Sequence, residues 1–248
     1  MGIKGLFPFL KRCEQDVDLK DLLPNQSVGL DIFWWIHRSK GDIKQLKESL
    51  EPILCSAGQI HAVFDGTPCE ERKQLLQAKW NHEDEQWRTI GALEEHLQLY
   101  PSDTIQRHVE QLRRQVWKPS PEYVQSVKEW LSDQGAILHV AEDEADPLLV
   151  QLEQKGVIAH ILGNDSDLLT LGARSLLRPY GGRATWLYRP QMMQYFDCTE
   201  AQWEDFMYLC GHMKDPDVLL AYSLIRVYKE LDYGLQRYEA VHHRMLVE

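Results

Sequence analysis

Six carboxylate side chains lie within or directly after four apolar segments of this chain. The first interrupts the segment 28–35 and the second ends the segment 62–65. A pair follows the segment 137–140, and another pair follows Ile161-Leu162-Gly163-Asn164. In chain order the six acids are Asp31, Asp65, Glu144, Asp146, Asp165 and Asp167. If the four segments are parallel strands, their carboxyl ends meet at the sheet edge where ligands bind in open α/β folds.

Six carboxylates at one edge would repel one another unless cations neutralise them. Ligation by oxygen alone, without histidine or thiolate, suits Mg²⁺, and Mn²⁺ can substitute for it. Two such ions can activate water and stabilise a leaving oxygen in phosphodiester cleavage. The acids therefore predict a metal-dependent hydrolase of phosphodiesters.

Simpler roles exist for some of these acids. Asp146 precedes Pro147 and a predicted helix, so it could serve only as a helix N-cap. Asp165-Ser166-Asp167 could form a turn and a cap, and Asp65-Gly66 is a common turn dipeptide. Asp31 is the hardest to explain in this way, because an unpaired carboxylate inside an apolar strand costs several kcal/mol. The simpler interpretation requires four independent coincidences.

The apolar segments themselves predict the fold. They are short and bounded by turn signals, as buried strands are. Helical stretches separate them, which favours an α/β, doubly wound, mostly parallel sheet flanked by helices. The predicted strands are Ser27–Trp35, Gln59–Phe64, Ala136–Val140, Val157–Leu162 and Ala184–Tyr188.

Three helices are predicted between the strands. The segment Ile43–Leu54 is amphipathic. Ser120 and Pro121 supply a cap and a first-turn proline before Tyr123–Leu131, and Leu148–Gln154 is stopped by Gly156. The segment from about 73 to 118 is long and charged with helical spacing, and we expect a helical excursion from the sheet, broken at Pro101.

Composition limits the class of protein. Hydrophobic residues make up 44% and charged residues 26% of the 248 residues, which is usual for a globular domain. The sequence predicts neither a membrane span nor a signal peptide. Five scattered cysteines without a CxxC pair indicate reduced thiols in an intracellular protein. The net charge of −11 argues against tight non-specific binding of DNA.

The motifs together resemble the structure-specific 5′ nucleases, the flap-endonuclease and XPG-type superfamily, and most closely its exonuclease-one branch. The resemblance covers residues 1 to about 210. It rests on Met1-Gly2-Ile3-Lys4-Gly5-Leu6, Leu30-Asp31-Ile32-Phe33-Trp34-Trp35-Ile36-His37, Val63-Phe64-Asp65-Gly66, Glu144-Ala145-Asp146 and Asp165-Ser166-Asp167-Leu168-Leu169. It implies a PIN-like 5′-nuclease fold and a single nuclease domain over 1–248.

The resemblance also implies roles for residues near the 5′ end of a substrate. Basic residues 7 and 14 positions after the second acid contact the scissile phosphate in the family, and here these are Arg72 and Lys79. The family's N-terminal glycine lies near the active site, which implies a nucleic-acid contact for Gly2. His37 is either such a contact or a structural histidine. The 73–118 segment corresponds to the helical arch, where Arg113 and Arg114 would bind nucleic acid.

The chain departs from the family pattern near its end. The family's last acid lies in a Gly-x-Asp-Tyr element that is missing, so Asp215 or Asp217 would have to complete the metal site. The glycine-rich helix–hairpin–helix that grips duplex is also missing, and Val218–Leu231 instead predicts a plain amphipathic helix. We therefore expect a reduced helical region over about 200–248.

The implied activity is hydrolysis of DNA phosphodiesters at or near 5′ ends, flaps or single-strand/duplex junctions, with two Mg²⁺ ions. Catalysis is expected from Asp31, Asp65, Arg72, Lys79, Glu144, Asp146, Asp165 and Asp167. Two alternatives stay open. One is a weak or inactive scaffold that binds RNA or protein, and the other is an RNA-directed nuclease, because contact with a 2′-hydroxyl leaves no signature in sequence. Protein partners are not indicated.

Overall fold

Seven strands form one sheet within the part of the chain that the structure, a computed structural model, describes: residues 2–212 and 217–228. The strands are β1 (Gln15–Asp18), β2 (Ser27–Asp31), β3 (Gln59–Phe64), β4 (Ile137–Val140), β5 (His160–Leu162), β6 (Ser175–Tyr180) and β7 (Arg183–Tyr188). Their order across the sheet is β1-β7-β6-β5-β2-β3-β4. The central strands from β6 to β4 are parallel, and β7 and β1 are antiparallel additions at one side.

Helices connect and cover the strands. In chain order they are α1 (Leu6–Leu10), α2 (Leu19–Leu22), α3 (Ile32–Ser39), α4 (Ile43–Leu54), α5 (Glu70–Leu99), α6 (Asp103–Gln115), α7 (Pro121–Asp133), α8 (Ala145–Gln154), α9 (Asp167–Thr170), α10 (Arg189–Phe196), α11 (Glu200–His212) and α12 (Val218–Tyr228), with a 3-10 turn at Lys11–Cys13.

Each face of the sheet has its own apolar core. On one face Leu30, Ala62 and Phe64 pack against α3, α4 and α7. On the other face Val63 and Ile161 pack against α8, α9, α11 and α12. The alternation of adjacent strand residues between the two cores follows from the two-residue period of a strand. These layers confirm the predicted α/β fold with a mostly parallel sheet.

Local signals in the sequence explain where several helices begin and end. Ser120 Oγ accepts the N–H of Tyr123 at 3.2 Å, so α7 begins at Pro121 as predicted. Asp42 Oδ1 accepts the N–H groups of Lys44 and Gln45 and begins α4. Gly135 and Gly156 follow α7 and α8 with φ angles of 79° and 71°, a conformation that glycine adopts without steric cost.

Two predicted strands were too long. The strand predicted over Ser27–Trp35 ends at Asp31, because Asp31 Oδ1 accepts the N–H of Trp34 and starts α3. The strand predicted over Val157–Leu162 begins only at His160, since the N–H of Val157 bonds back to Leu152 at the end of α8. The sequence prediction also missed β1 and β6 entirely.

The predicted helical excursion is a hairpin of α5 and α6, interrupted around Pro101 as expected. The two helices share a small apolar cluster of Ile90, Val109 and Val116, with Leu93 and Leu112 packed against it. This cluster is separate from both cores of the sheet. The helix predicted over Val218–Leu231 is observed as Val218–Tyr228, and residues beyond 228 lie outside the described part.

Among the helices in residues 2–212 and 217–228, none is both long enough and apolar enough to span a bilayer.

Candidate active site

The parallel strands bring the acidic segments to one edge of the sheet. In the order β5-β2-β3-β4, Leu30 pairs with Leu162, Asp31 with Val63, and Phe64 with Val140. The four strands therefore end at nearly the same level. The acids that follow these strands lie side by side along the edge, as Asp165, Asp31, Asp65 and then the Glu144–Asp146 turn.

Asp31 is partly buried at the end of β2. Its pKa is raised to about 7, first by burial and also by the nearby charges of Asp65 and Asp165, although the N–H of Trp34 opposes the shift. The hydrogen bond from the backbone N–H of Trp34 to Asp31 Oδ1, with an N···O distance of 3.3 Å, makes Asp31 the N-cap of α3. The same side chain thus starts a helix and contributes charge to the cluster.

Asp146 shows the mutual repulsion most clearly. Its pKa is raised to about 8, first by burial and then by the charges of Asp31, Asp165, Glu144 and Asp65. Asp146 lies in the first turn of α8, whose N-cap position is Glu144, so the simpler role as N-cap does not apply. The acids predicted from four separate segments act on one another electrostatically.

Asp165 and Asp167 form a turn as well as part of the cluster. Asp165 Oδ1 accepts the N–H of Asp167 at 3.0 Å, which is the turn considered as a simpler role. Burial, and then the charge of Asp165, raise the pKa of Asp167 to about 6. A structural role and a charge in the cluster therefore coexist in this segment.

The N-terminal segment packs directly on this turn. The N–H of Ile3 donates to Ser166 Oγ at 2.5 Å, and Ser166 is almost fully buried. A Cβ added at Gly2 would lie 2.5 Å from Ser166 Oγ and 2.9 Å from Asp165 Oδ1. Only glycine fits at position 2 without displacing the acidic turn.

The donor atoms of the cluster are all carboxylate oxygens, which fits a hard divalent cation such as Mg²⁺. The pKa of Asp146 is raised by burial and then by the surrounding acids, so bound cations would relieve the repulsion among these acids. Within residues 2–212 and 217–228, however, no three acidic, histidine or cysteine side chains are arranged closely enough to surround one ion. The cluster is assembled, but its carboxylates are not drawn together.

Arg72 lies at the border of the cluster. Its Nη1 is 2.6 Å from Asp143 Oδ1 and its Nη2 is 2.8 Å from Glu144 Oε1, and the side chain is only 24% exposed. Sequence reasoning missed Asp143, although an acid directly before Glu144 was a visible signal. Lys79 lies two helical turns along α5 from Arg72, and its side chain is outside the described part of the structure.

A cavity of about 530 Å³ opens beside Asp65, Gly66 and Arg72. His37 and Trp117 line its other side, with their ring centroids 5.9 Å apart and the rings nearly perpendicular. Lys40 and Lys118 add cationic side chains to the lining, and sequence reasoning did not single out Lys40. The cavity therefore combines cations and aromatic faces next to the acids.

Other predicted site residues lie apart from these contacts. Asp217 Oδ1 accepts the N–H groups of Leu219 and Leu220 and so caps α12. Asp215 lies outside the described residues. Arg113 forms an ion pair with Glu94 across the α5–α6 hairpin, at 2.6 Å, and Arg114 is exposed on α6.

Comparison with known proteins gives one family match: the XPG I-region, over residues 135–212. Two sequence relatives each align with 71% of this chain at 28% identity over 193 residues. They are DNA damage-inducible protein DIN7 of Saccharomyces cerevisiae, of which 43% is covered, and exodeoxyribonuclease 1 of Schizosaccharomyces pombe, of which 32% is covered. The match spans less than half of either relative.

Solved structures share the fold. The catalytic core of Rad2 in complex with a DNA substrate matches all of this chain and 76% of its own, with a TM-score of 0.65 and 14% identity. The Holliday junction-resolving enzyme GEN1, with product DNA, Mg²⁺ and Mn²⁺, matches 91% of this chain and 50% of its own, with a TM-score of 0.60 and 15% identity. The resemblance inferred from the acidic motifs is confirmed.

Proposed function

We propose that this chain, which is similar to the XPG-type 5′ nucleases and to their exonuclease-one branch, hydrolyses DNA phosphodiesters. The expected cleavage sites are at or near 5′ ends, flaps or single-strand/duplex junctions. The observation that carries the proposal is the convergence of acids from four parallel strands, with the pKa of Asp31 and of Asp146 raised to about 7 and about 8. The raised pKa values mean that the charged forms of these carboxylates are disfavoured, and divalent cations would stabilise those charged forms.

Six carboxylates at this edge of the sheet would hold two Mg²⁺ ions, or Mn²⁺ in their place: Asp31, Asp65, Glu144, Asp146, Asp165 and Asp167. A further ligand would have to come from Asp215, which is outside the described residues, or from Asp217, whose Oδ1 caps α12. When bound, such ions supply an activated water and stabilise charge on the leaving oxygen. The GEN1 neighbour, with its Mg²⁺ and Mn²⁺ ions, supports the choice of metal.

The protein's own groups would position the substrate. Arg72 lies beside Glu144 and can direct guanidinium N–H groups at a phosphoryl oxygen, where a preorganised cation stabilises developing charge. Lys79 would add a second cation from the same helix. Gly2 leaves Asp165 undisturbed and lets the backbone lie close to the cluster.

The cavity beside the acids would receive nucleotides at the 5′ end. Trp117 and His37 present aromatic rings on which bases can stack, and Lys40 and Lys118 carry charges that attract phosphates. Its volume of about 530 Å³ is in the range of small-ligand sites. Arg113 and Arg114 on α6 would contact single strands farther from the acids.

The test is cleavage of 5′-labelled flap, nicked, blunt-duplex and single-stranded DNA, and of matching RNA, with Mg²⁺, Mn²⁺ or EDTA. We expect metal-dependent cutting near the 5′ end by the wild type and none by Asp165→Asn. The pattern of substrates would separate exonuclease from flap endonuclease, and DNA from RNA specificity. Failure of well-folded protein to cut any substrate would contradict the proposal and favour the scaffold alternative.

A further inference from the structure

Asp143 connects three parts of the candidate site, although it is not among the predicted metal ligands. Its carboxylate bonds to Arg72 Nη1 at 2.6 Å. The pKa of Asp143 is lowered first by its bond to Arg72, and also by the nearby thiol and backbone of Cys69, the residue before α5. The backbone carbonyl of Asp143 accepts the N–H of Gly66 at 2.7 Å. The loop before α8 is thereby joined to the connection between β3 and α5.

Arg72 has two acidic partners, and only one of them, Glu144, is a proposed metal ligand. Glu144 would be drawn towards a divalent cation, and its bond to Arg72 at 2.8 Å would then have to compete with the metal. Asp143 is not needed as a ligand, so its bond can persist in both states. A charge-assisted contact of this kind restrains a guanidinium more strongly than a neutral hydrogen bond does.

We propose that Asp143 is a positioning residue that keeps the guanidinium of Arg72 beside the acid cluster when Glu144 is engaged elsewhere. Asp143 acts through Arg72 and does not touch the substrate. The consequence for turnover rests on the proposed nuclease function. The coupling between the two side chains does not, and can be measured without metal or DNA.

The experiment compares Asp143→Asn, Arg72→Gln and the double variant with wild type. Asparagine loses the negative charge but leaves the backbone carbonyl of residue 143, which accepts the N–H of Gly66, unchanged, so the loop connection is preserved. Glu142→Gln is the matched control, because Glu142 is an exposed acid in the same loop. Each protein is assayed for cleavage with Mg²⁺ and for thermal unfolding in EDTA.

We expect Asp143→Asn to lower kcat roughly tenfold and to change KM by less than about twofold. A tenfold loss of kcat corresponds to about 1.4 kcal/mol of lost transition-state stabilisation. In the Arg72→Gln background the same substitution should cause no further loss, and Glu142→Gln should leave kcat within about twofold. An equal loss with and without Arg72, or no loss from Asp143→Asn, would overturn the proposal.

Thermal unfolding in EDTA tests the coupling between Asp143 and Arg72 even if none of the proteins cuts DNA. A lack of cleavage would count against the nuclease function alone. Asp143→Asn should lower Tm by about 2–4 °C in the presence of Arg72, as expected for a partly exposed ion pair in a chain of this size, and by much less in its absence. A shift of the same size in both backgrounds would show that Asp143 supports the loop without positioning Arg72, and would overturn the proposal.

Discussion

The Oδ1 atom of Asp65 lies 2.8 Å from the backbone nitrogen of Ala145 and accepts its N–H, so the end of β3 is bonded to the first residue of α8. Asp65 therefore has a structural role that is distinct from its charge. Asparagine at this position retains an oxygen acceptor, whereas alanine removes both the acceptor and the charge.

The first prediction separates these two roles. Asp65→Asn and Asp65→Ala should both abolish cleavage, because each removes a proposed metal ligand. Only Asp65→Ala should also lower the free energy of unfolding, by about 1–2 kcal/mol, since it leaves the N–H of Ala145 without its partner. Urea denaturation in EDTA measures this difference. Equal stability of the two variants would contradict the structural role.

The second prediction concerns pH. The pKa of Asp31 is raised to about 7 and that of Asp146 to about 8, above the value near 3.9 for an unfolded aspartate. For an acid whose pKa is raised by folding, the contribution to stability is complete below the unfolded pKa and is lost as pH rises through the folded value. Metal-free protein should therefore melt at a lower temperature at pH 8.5 than at pH 5.5.

Two additions test the cause of this pH dependence. Asp146→Asn should raise Tm in EDTA more at pH 8.5 than at pH 5.5, because the amide has no charge to repel. For the wild-type protein at pH 8.5, saturating Mg²⁺ should raise Tm above its value in EDTA, since a ligand that binds only the folded protein stabilises it. A Tm in EDTA that rises from pH 5.5 to 8.5 would count against mutual repulsion among these acids.

The third prediction concerns the N-terminus. Gly2→Ala would place a methyl group 2.5 Å from Ser166 Oγ and 2.9 Å from Asp165 Oδ1. We expect at least a tenfold loss of kcat, because small displacements of catalytic groups are costly. Gly182→Ala is the control, since a Cβ there meets no atom within 4 Å. Kinetics on one 5′-labelled substrate compare the variants, and unchanged kcat in Gly2→Ala would contradict the close packing.

The fourth prediction concerns the cavity next to the acids. Trp117→Ala should weaken binding of DNA with a single-stranded 5′ end by about 1–3 kcal/mol, the usual contribution of stacking one base. Binding of blunt duplex should change less. Trp87→Ala is the control, because Trp87 is 49% exposed on α5 and does not line the cavity. Titrations in Ca²⁺ or EDTA separate binding from cleavage, and an equal loss on both substrates would exclude a stacking role.

The positions of the acids could be predicted because each lies within or soon after a nearly continuous apolar run, the pattern of a strand buried on both faces. The end of β2 was harder to predict, since Ile32–Trp35 continues the apolar run of the strand. The bond from Trp34 to Asp31 decides that this segment is helical. Aspartate at a helix start was an available signal, but it competes with apolar periodicity in such a short window.

Other features depend on contacts that are distant in sequence. The strand β1 contains Gln15, Asp16 and Asp18, and it exists because it pairs with β7 more than 160 residues later. The pairing of Arg72 with Asp143 joins positions 71 residues apart. Residue types alone cannot show which acid a given arginine will contact. The sequence places Asp143 directly before Glu144, but its bond to Arg72 is visible only in the folded chain.

The α5–α6 hairpin has an apolar cluster of its own, which shares no residue with the two cores of the sheet. Substitutions at distant sites without shared partners have nearly additive effects on stability. The part of the hairpin around this cluster is thus a unit separate from the acidic edge, whereas the start of α5 is joined to that edge through Arg72. If the chain is a nuclease as proposed, substitutions around Ile90, Val109 and Val116 can change which nucleic acids bind without altering the geometry of the acids.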